Sequence, residues 1–236
     1  MVFGGFQKVT LLDYPGKTAC TLFTTGCDFR CPFCQNSSLV CPDMAEQASK
    51  DVQTITESEI LSFLKTRHDL LDGVCISGGE PLLHNELGSF IKDIKEMGFL
   101  VKLDTNGNHP DKLKELIESG LIDYVAMDIK NTPEKYAMTA GIPDIDISAI
   151  EESVKILLSG IAAYEFRTTV VREFHTGEDL MSIAQWVSGA RKYFLQRFVN
   201  SDGVLTNGLQ GYSDEEMHQF LVTVKSVLPT AEIRGF

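Results

Sequence analysis

The chain has 236 residues, 43% of them hydrophobic and 23% charged, enough to bury a real core in one large α/β domain or two small ones. Its formal net charge of −12 argues against tight, nonspecific nucleic-acid binding, and no apolar run is long enough to span a bilayer. The start, MVFGGFQKV, lacks the basic segment and long apolar stretch of a signal peptide, so the expectation is a cytoplasmic protein with neither a nucleic-acid nor a membrane partner.

In chain order, short apolar segments alternate with amphipathic ones. LLDYPGK, with Tyr14 and Pro15, leads into a first strand over residues 18–24. A helix at 57–66 precedes a strand at 73–77, a helix at 86–97 a strand at 100–104, and a helix at 111–119 a strand at 124–129. Further helices at 147–158, 178–190 and 213–227 alternate with strands at 163–171 and 194–199 and a last candidate at 231–233. Period and caps carry these assignments. In DKLKELIESG, Leu113, Leu116 and Ile117 share one face, and Gly120 stands where a helix-ending glycine belongs. In NELGSFIKDIKEMG, Leu87, Phe90, Ile91 and Ile94 point inward and Gly98 closes the turn. Ser213 and Glu216 form a capping-box pattern, and Pro229 stops the last helix.

Strand then helix, six times over, predicts parallel strands joined by right-handed crossover helices. Six units are too few for an eight-stranded barrel, so the expected fold is α/β: a partial (β/α)6 TIM-like barrel with outer helices. With no linker, repeat or low-complexity tract, residues 1–236 are expected to form a single domain. NSDGVLTNGLQGYSD reads as one long loop.

Six cysteines in a chain of cytosolic character point to metal binding or reactivity rather than disulfides. Cys20 and Cys75 lie in apolar strand segments and read as small buried hydrophobes; Cys41, before Pro42, is a fourth-ligand suspect. The other three crowd into TTGCDFRCPFCQN: Cys27, three residues, Cys31, two residues, Cys34. Three thiolates can each hold one iron of a [4Fe–4S] cube, leaving the fourth iron for a substrate. Phe29 and Phe33, between the ligands, are placed to shield such a cluster, and Arg30 to offset its charge. The alternative is a zinc site completed by Cys41 or a histidine, although no second cysteine knuckle is present.

Ligands of parallel α/β proteins sit at the carboxyl ends of the strands, and every such end here is polar or glycine-rich. SGGEP offers Gly78 and Gly79 for close backbone approach, with Glu80 beside them for an ammonium group. DTNG places Asp104 and Thr105 at a strand end, and MDIK places Asp128 and Lys130 on one side of theirs. Asp104 can accept hydrogen bonds from a ribose or, with Asp128, hold a monovalent cation. Arg167, in EFRTTVV, suits a carboxylate or a ribose hydroxyl. No histidine has metal-ligand spacing; His175 reads as a solvated loop residue and Trp186 as part of a helix's core face.

Together these segments resemble a known family. GCDFRCPFC looks like the cysteine signature of the radical S-adenosylmethionine (radical SAM) enzymes, and SGGEP like their methionine-binding motif. GFQKVTLLDYPGKTACTLFTTGCDFRCPFCQN, LDTNG and MDIK narrow the resemblance to the activating enzymes of glycyl-radical enzymes, nearest to the anaerobic ribonucleoside-triphosphate reductase branch. It runs from about Gly5 to about Val171 and is specific through Lys130. It implies one [4Fe–4S] cluster on Cys27, Cys31 and Cys34, with S-adenosylmethionine chelating the open iron and being cleaved by one electron. The resulting radical takes a hydrogen from a glycine of the partner enzyme. A low-potential donor such as flavodoxin or ferredoxin is implied. By the same resemblance, Phe33 and Gln35 border the adenosyl site, and Gly78, Gly79 and Glu80 meet the methionyl amine. Asp104, Thr105 and Asp128 match a cation and carboxylate region, Lys130 a ribose contact and Arg167 a carboxylate contact. Gln35 stands where many relatives have histidine, and no residue matches their late ribose-side histidine. Two rival readings remain at this stage: a small-molecule radical SAM enzyme of the deazapurine-synthase kind, with residues 200–212 as a lid, and a zinc-stabilised binding module.

Overall fold

The computed structural model describes residues 1–40 and 54–235. Among them, nine strands form one sheet in the order β3-β1-β2-β4-β5-β6-β7-β8-β9. Seven of these, β2 (Ala19–Thr24), β4 (Gly73–Gly78), β5 (Leu100–Thr105), β6 (Tyr124–Asp128), β7 (Ala163–Val170), β8 (Tyr193–Arg197) and β9 (Ala231–Arg234), run parallel to their neighbours within that series. They match the seven segments read from the sequence to within one or two residues. Two further strands were not anticipated. β1 (Val2–Thr10) pairs antiparallel with β2, and the two-residue β3 (Ile55–Thr56) pairs antiparallel with β1. The sheet therefore extends beyond six repeated units and remains open, with β3 and β9 at its two ends.

The helices are α1 (Ser37–Val40), α2 (Glu57–Leu64), α3 (Leu87–Glu96), α4 (Pro110–Glu118), α5 (Tyr136–Ala140), α6 (Ile147–Leu158), α7 (Gly177–Trp186) and α8 (Asp214–Lys225). The glycine after α3, Gly98, has φ +88°, and the one after α4, Gly120, has φ +71°. A Cβ on either would meet nothing within 4 Å, so backbone conformation alone explains the residue type. Ser213 caps α8 by accepting from the Glu216 amide, and Glu216 accepts in return from the Ser213 amide. The expected helix at 178–190 ends four residues early, and Val187 follows it as the cap.

Strand side chains alternate between two faces. Leu22, Val74, Ile76, Val101, Leu103, Val125, Met127 and Phe166 are fully buried. They share one apolar cluster with Phe90, Ile91 and Ile94 of α3, Leu113 of α4, Val154 of α6 and Ile183 of α7. Each such side chain contributes about 1.5–3 kcal/mol on burial. Cys20 belongs to this cluster, as expected. Cys75 is equally buried but faces the other way: its Sγ stands 3.8 Å from Lys102 Nζ and 3.9 Å from Asp104 Oδ1. The second face carries Thr21, Cys75, Ser77, Lys102, Asp104, Asp128, Glu165 and Arg167. That parity difference converts one set of strands into both a core and a site. No helix among the described residues is long and apolar enough to cross a membrane.

Candidate functional site

A cavity of about 290 Å³ opens at the carboxyl ends of the strands. Its lining includes Cys27, Cys31 and Cys34, Gly78 and Gly79, Asp104 and Thr105, Asp128 and Lys130, and Arg167. Phe33 and Gln35 also line it. Of the thirteen residues put forward from the sequence, Glu80 alone is not on this wall.

The cysteine loop leaves β2 and is folded by its own backbone. The Gly26 amide donates to Leu39 O (2.7 Å), the Arg30 amide to Ala140 O (2.8 Å) and the Cys34 amide to Cys31 O (3.0 Å). The Arg30 guanidinium, expected to offset ligand charge, instead donates to the loop carbonyls of Cys27 and Phe29 and so shapes the turn. Phe29 and Phe33 are 3% and 5% exposed and form part of the cavity wall, as shields should. Burial pushes the Cys27 thiol up to about 12 and the Cys31 thiol to about 11, so bare thiolates are costly here, a cost that a bound metal would offset. None of the five described cysteines is in a disulfide; Cys41 lies outside the described residues. Among those residues, no three His, Cys, Asp or Glu side chains gather tightly enough to hold one metal ion. Three thiols lining one cavity match the three protein ligands of a [4Fe–4S] cube.

The double glycine is also required by packing. A Cβ at Gly79 would lie 1.8 Å from Gly26 O, and one at Gly78 would lie 2.3 Å from Thr24 N. The Gly79 amide donates to Thr24 O (2.9 Å) and the Glu80 amide to Gly26 O (2.8 Å). The glycines thus let β4 lie directly against the root of the cysteine loop while their backbone still borders the cavity. Glu80 lies behind the cavity wall. It is fully buried and its carboxylate accepts from Asn106 N (2.7 Å), Leu82 N (3.0 Å) and Thr105 Oγ1 (2.9 Å). Burial still pushes its carboxyl up to about 7 against those three donors. It braces the DTNG loop from behind the double glycine.

The opposite wall is a chain of charges across three strands. Arg167 pairs in register with Asp128. Its Nε donates to Asp128 Oδ1 (2.9 Å) and its Nη1 reaches Asp104 Oδ2 (3.2 Å). The residue between, opposite Asp104 on β6, is Ala126, whose methyl leaves the guanidinium room. Lys130 Nζ lies 3.1 Å from Asp128 Oδ2, and Ser77 Oγ donates to Asp104 Oδ2 (3.2 Å). Lys102 Nζ contacts Asp104 Oδ1 from below. Burial opposes both carboxylates, yet Arg167 and Lys130 hold Asp128 down to about 2, and Arg167 and Lys102 hold Asp104 below the usual range. Arg167 and Lys130 are correspondingly held in their charged forms.

His175 is not solvated. It is fully buried, accepts from the Val171 amide at Nδ1 (3.1 Å) and faces Lys130 O with Nε2 (2.8 Å). Burial lowers its pKa, which favours a neutral ring; with Nδ1 accepting from the Val171 amide, Nε2 donates to Lys130 O. It anchors the backbone that carries Lys130. Trp186 is half-buried and packs edge-on against Tyr136. Gln35 donates to Val199 O (2.9 Å), and three more hydrogen bonds, Ser37 Oγ to Gly203 O, Leu205 N to Cys34 O and Thr206 N to Pro32 O, tie the 199–206 segment to the cysteine loop. The segment expected as a lid is fastened to that loop.

Two residues escaped the sequence reading. Asp28, between two ligand candidates, accepts from Asn106 Nδ2 (2.8 Å) and Asn108 Nδ2 (2.7 Å), and His109 Nε2 lies 3.1 Å from it. Burial opposes its ionisation, but His109, Asn108 and Asn106 outweigh it and hold the carboxyl at about 2. Lys102 was signalled only by KLD, which puts Lys102 and Asp104 on one strand face.

A fold of parallel strands with helices on one face and a three-cysteine loop after the first of them defines a class, the α/β proteins with a site at the carboxyl ends of the strands. The particular family follows from comparison: residues 21–187 match the model described as "Radical SAM superfamily", and the chain belongs to it. It is 32% identical over 202 residues to "Putative glycyl-radical enzyme activating enzyme MJ1227" of Methanocaldococcus jannaschii, covering 84% of this chain and 80% of that protein. Among solved structures, a domain of pyruvate-formate lyase-activating enzyme from Bacteroides vulgatus matches with TM-score 0.56 and 18% identity, over 69% of this chain and 99% of that one. Streptococcus suis SuiB bound to its precursor peptide matches with TM-score 0.69 and 13% identity, over 91% of this chain and 48% of that one. The family implies S-adenosylmethionine and a [4Fe–4S] cluster, and a cavity wall with Cys31 buried and Cys27 and Cys34 half-buried fits such a cluster.

Proposed function

We propose that this chain is a radical SAM activase that generates a glycyl radical on a partner enzyme, with anaerobic ribonucleoside-triphosphate reductase as the partner. The observation that carries the reading is the meeting, on one cavity, of three thiols, a double-glycine backbone and the charged ends of three strands. Cys27, Cys31 and Cys34 would hold the cluster. When bound, it supplies one electron to the sulfonium of S-adenosylmethionine, breaking the C5′–S bond to give methionine and a 5′-deoxyadenosyl radical.

The chain's own residues bind, orient and exclude water. The Gly78 and Gly79 backbone lines the methionyl side. Arg167 and Lys130, on a wall with one surplus positive charge, attract the methionyl carboxylate and a ribose hydroxyl. Asp104 and Asp128 fix those two cations in place and keep them charged. Phe29 and Phe33 keep water from the cysteines, and Gln35 borders the adenosyl side. Similarity to the Methanocaldococcus protein supports activation of a glycyl-radical enzyme, and the reductase is named as its target on the nearest overall resemblance, since the motifs themselves are common to activases of different partners. A soluble, cytoplasmic protein served by flavodoxin or ferredoxin completes the reading.

The test is anaerobic. Dithionite-reduced protein is expected to release 5′-deoxyadenosine from S-adenosylmethionine and, given the reductase, to produce a glycyl doublet by electron paramagnetic resonance. A doublet with pyruvate formate-lyase and none with the reductase would reassign the partner. Cleavage with neither protein radical would favour a small-molecule substrate. No cleavage at all would end the enzyme reading.

A further inference from the structure

Asp104 and Asp128 are the residues the sequence suggests for a monovalent cation, and the geometry does not fit one. Two carboxylates on one cavity wall repel, and positive charge must lie between or beside them. Here each of the four carboxylate oxygens already faces a side-chain cation. Lys102 meets Asp104 Oδ1, Arg167 Nη1 meets Asp104 Oδ2, Arg167 Nε meets Asp128 Oδ1, and Lys130 meets Asp128 Oδ2. Two negative charges against three positive leave the wall with a single surplus positive charge. A dissolved cation would have to displace one of these groups and add a second surplus charge to a largely buried wall, where uncompensated charge is expensive.

Lys102 differs from the other two cations. It is 1% exposed and does not line the cavity, whereas Lys130 and Arg167 do. It rises along β5 on the same face as Asp104 and contacts it from the interior side, with Cys75 Sγ at 3.8 Å. It therefore cannot serve a ligand, and its charge is committed to Asp104.

We propose that Lys102 is a tethered monovalent cation. Together with Arg167 it does at Asp104 and Asp128 what dissolved K⁺ or Na⁺ would do, so ligand binding by this chain is independent of alkali-metal ions. The inference rests on the S-adenosylmethionine reading above and makes Lys102 a positioning residue for it.

The experiment is anaerobic equilibrium binding of S-adenosylmethionine to cluster-loaded protein at one ionic strength, in K⁺, Na⁺ or tetramethylammonium chloride. The unaltered protein is expected to bind equally in all three. Lys102→Met is expected to lose ~10-fold or more in affinity in tetramethylammonium, as for loss of a charged hydrogen-bond partner. K⁺ or Na⁺ should then restore binding, and Lys102→Arg should keep cation independence. Binding by the unaltered protein in K⁺ or Na⁺ but not in tetramethylammonium overturns the proposal and leaves the function reading intact. Loss in Lys102→Met that no alkali ion relieves also overturns it. Absence of binding in every salt overturns the function reading, and this inference with it. Should Lys102→Met fail to fold, the three-salt comparison on the unaltered protein still decides.

Discussion

The two faces of the same strands behave as different materials. On β7, Phe166 points into the apolar cluster and is fully buried, while Arg167, one residue later, reaches Asp128 and Asp104 across the cavity wall. On β5, Val101 and Leu103 build the core, whereas Lys102 and Asp104 form a buried ion pair between them. Apolar packing needs only matched volume, so the outer face supplies most of the folding free energy. The inner face holds charges that interact only in one geometry, and its energy goes into positioning. A period of two along each strand lets stability and chemistry be set almost independently.

That division can be broken by substituting neighbours. Phe166→Ala is expected to cost about 3–5 kcal/mol of stability, seen as a lowered midpoint in denaturant, with little change in S-adenosylmethionine affinity of the molecules that remain folded. Arg167→Gln should weaken S-adenosylmethionine binding ~10-fold or more; it also costs stability by leaving Asp104 and Asp128 short of a counter-charge, so affinity is the readout that separates the two variants. Equal effects on both readouts from both variants would dissolve the distinction. Between these in effect lies the salt comparison on Lys102, which asks whether an inner-face residue outside the cavity still governs binding.

A smaller effect is expected where the cysteine loop meets the loop after β5. Asp28 has a folded pKa of about 2, below its ordinary value, so its contribution is present above the unfolded pKa and is lost as pH falls through the folded one. The contribution is about 2 kcal/mol at neutral pH. Asp28→Asn should lower stability by about that amount at pH 7 and converge with the unaltered protein by about pH 2. His109 acts in the opposite sense: its pKa is raised, chiefly by Asp28, so its share is full at acid pH and fades as pH rises through that raised value. A constant gap between the two proteins across the range would show that Asp28 acts through packing.

What could be read beforehand follows from the same physics. The parallel strands and their helices were legible because apolar period and caps are local signals, as at Ser213 and Glu216. β1 was not, because the Gly4–Gly5 pair and its polar residues give no apolar alternation, and β3 is too short to leave a pattern. Residues at strand ends, such as Asp104, Asp128, Lys130 and Arg167, were identifiable from topology. Partners across strands were not: Lys102 and Asp28 acquire their roles from neighbours distant in sequence. His175 was misread for the converse reason: its segment looks solvent-facing, and the fold draws it inside against the Lys130 carbonyl. The hold of Glu80 on the Asn106 amide likewise comes from a neighbour distant in sequence.

The central claim is that three cysteines leave one iron of a cube open to S-adenosylmethionine. Mössbauer spectroscopy of anaerobic, ⁵⁷Fe-loaded protein with and without S-adenosylmethionine tests it most directly. A cubane spectrum in which one iron site changes on addition is the predicted result. Four sites indifferent to the nucleotide, or protein that takes up a single zinc in place of iron, would contradict the account.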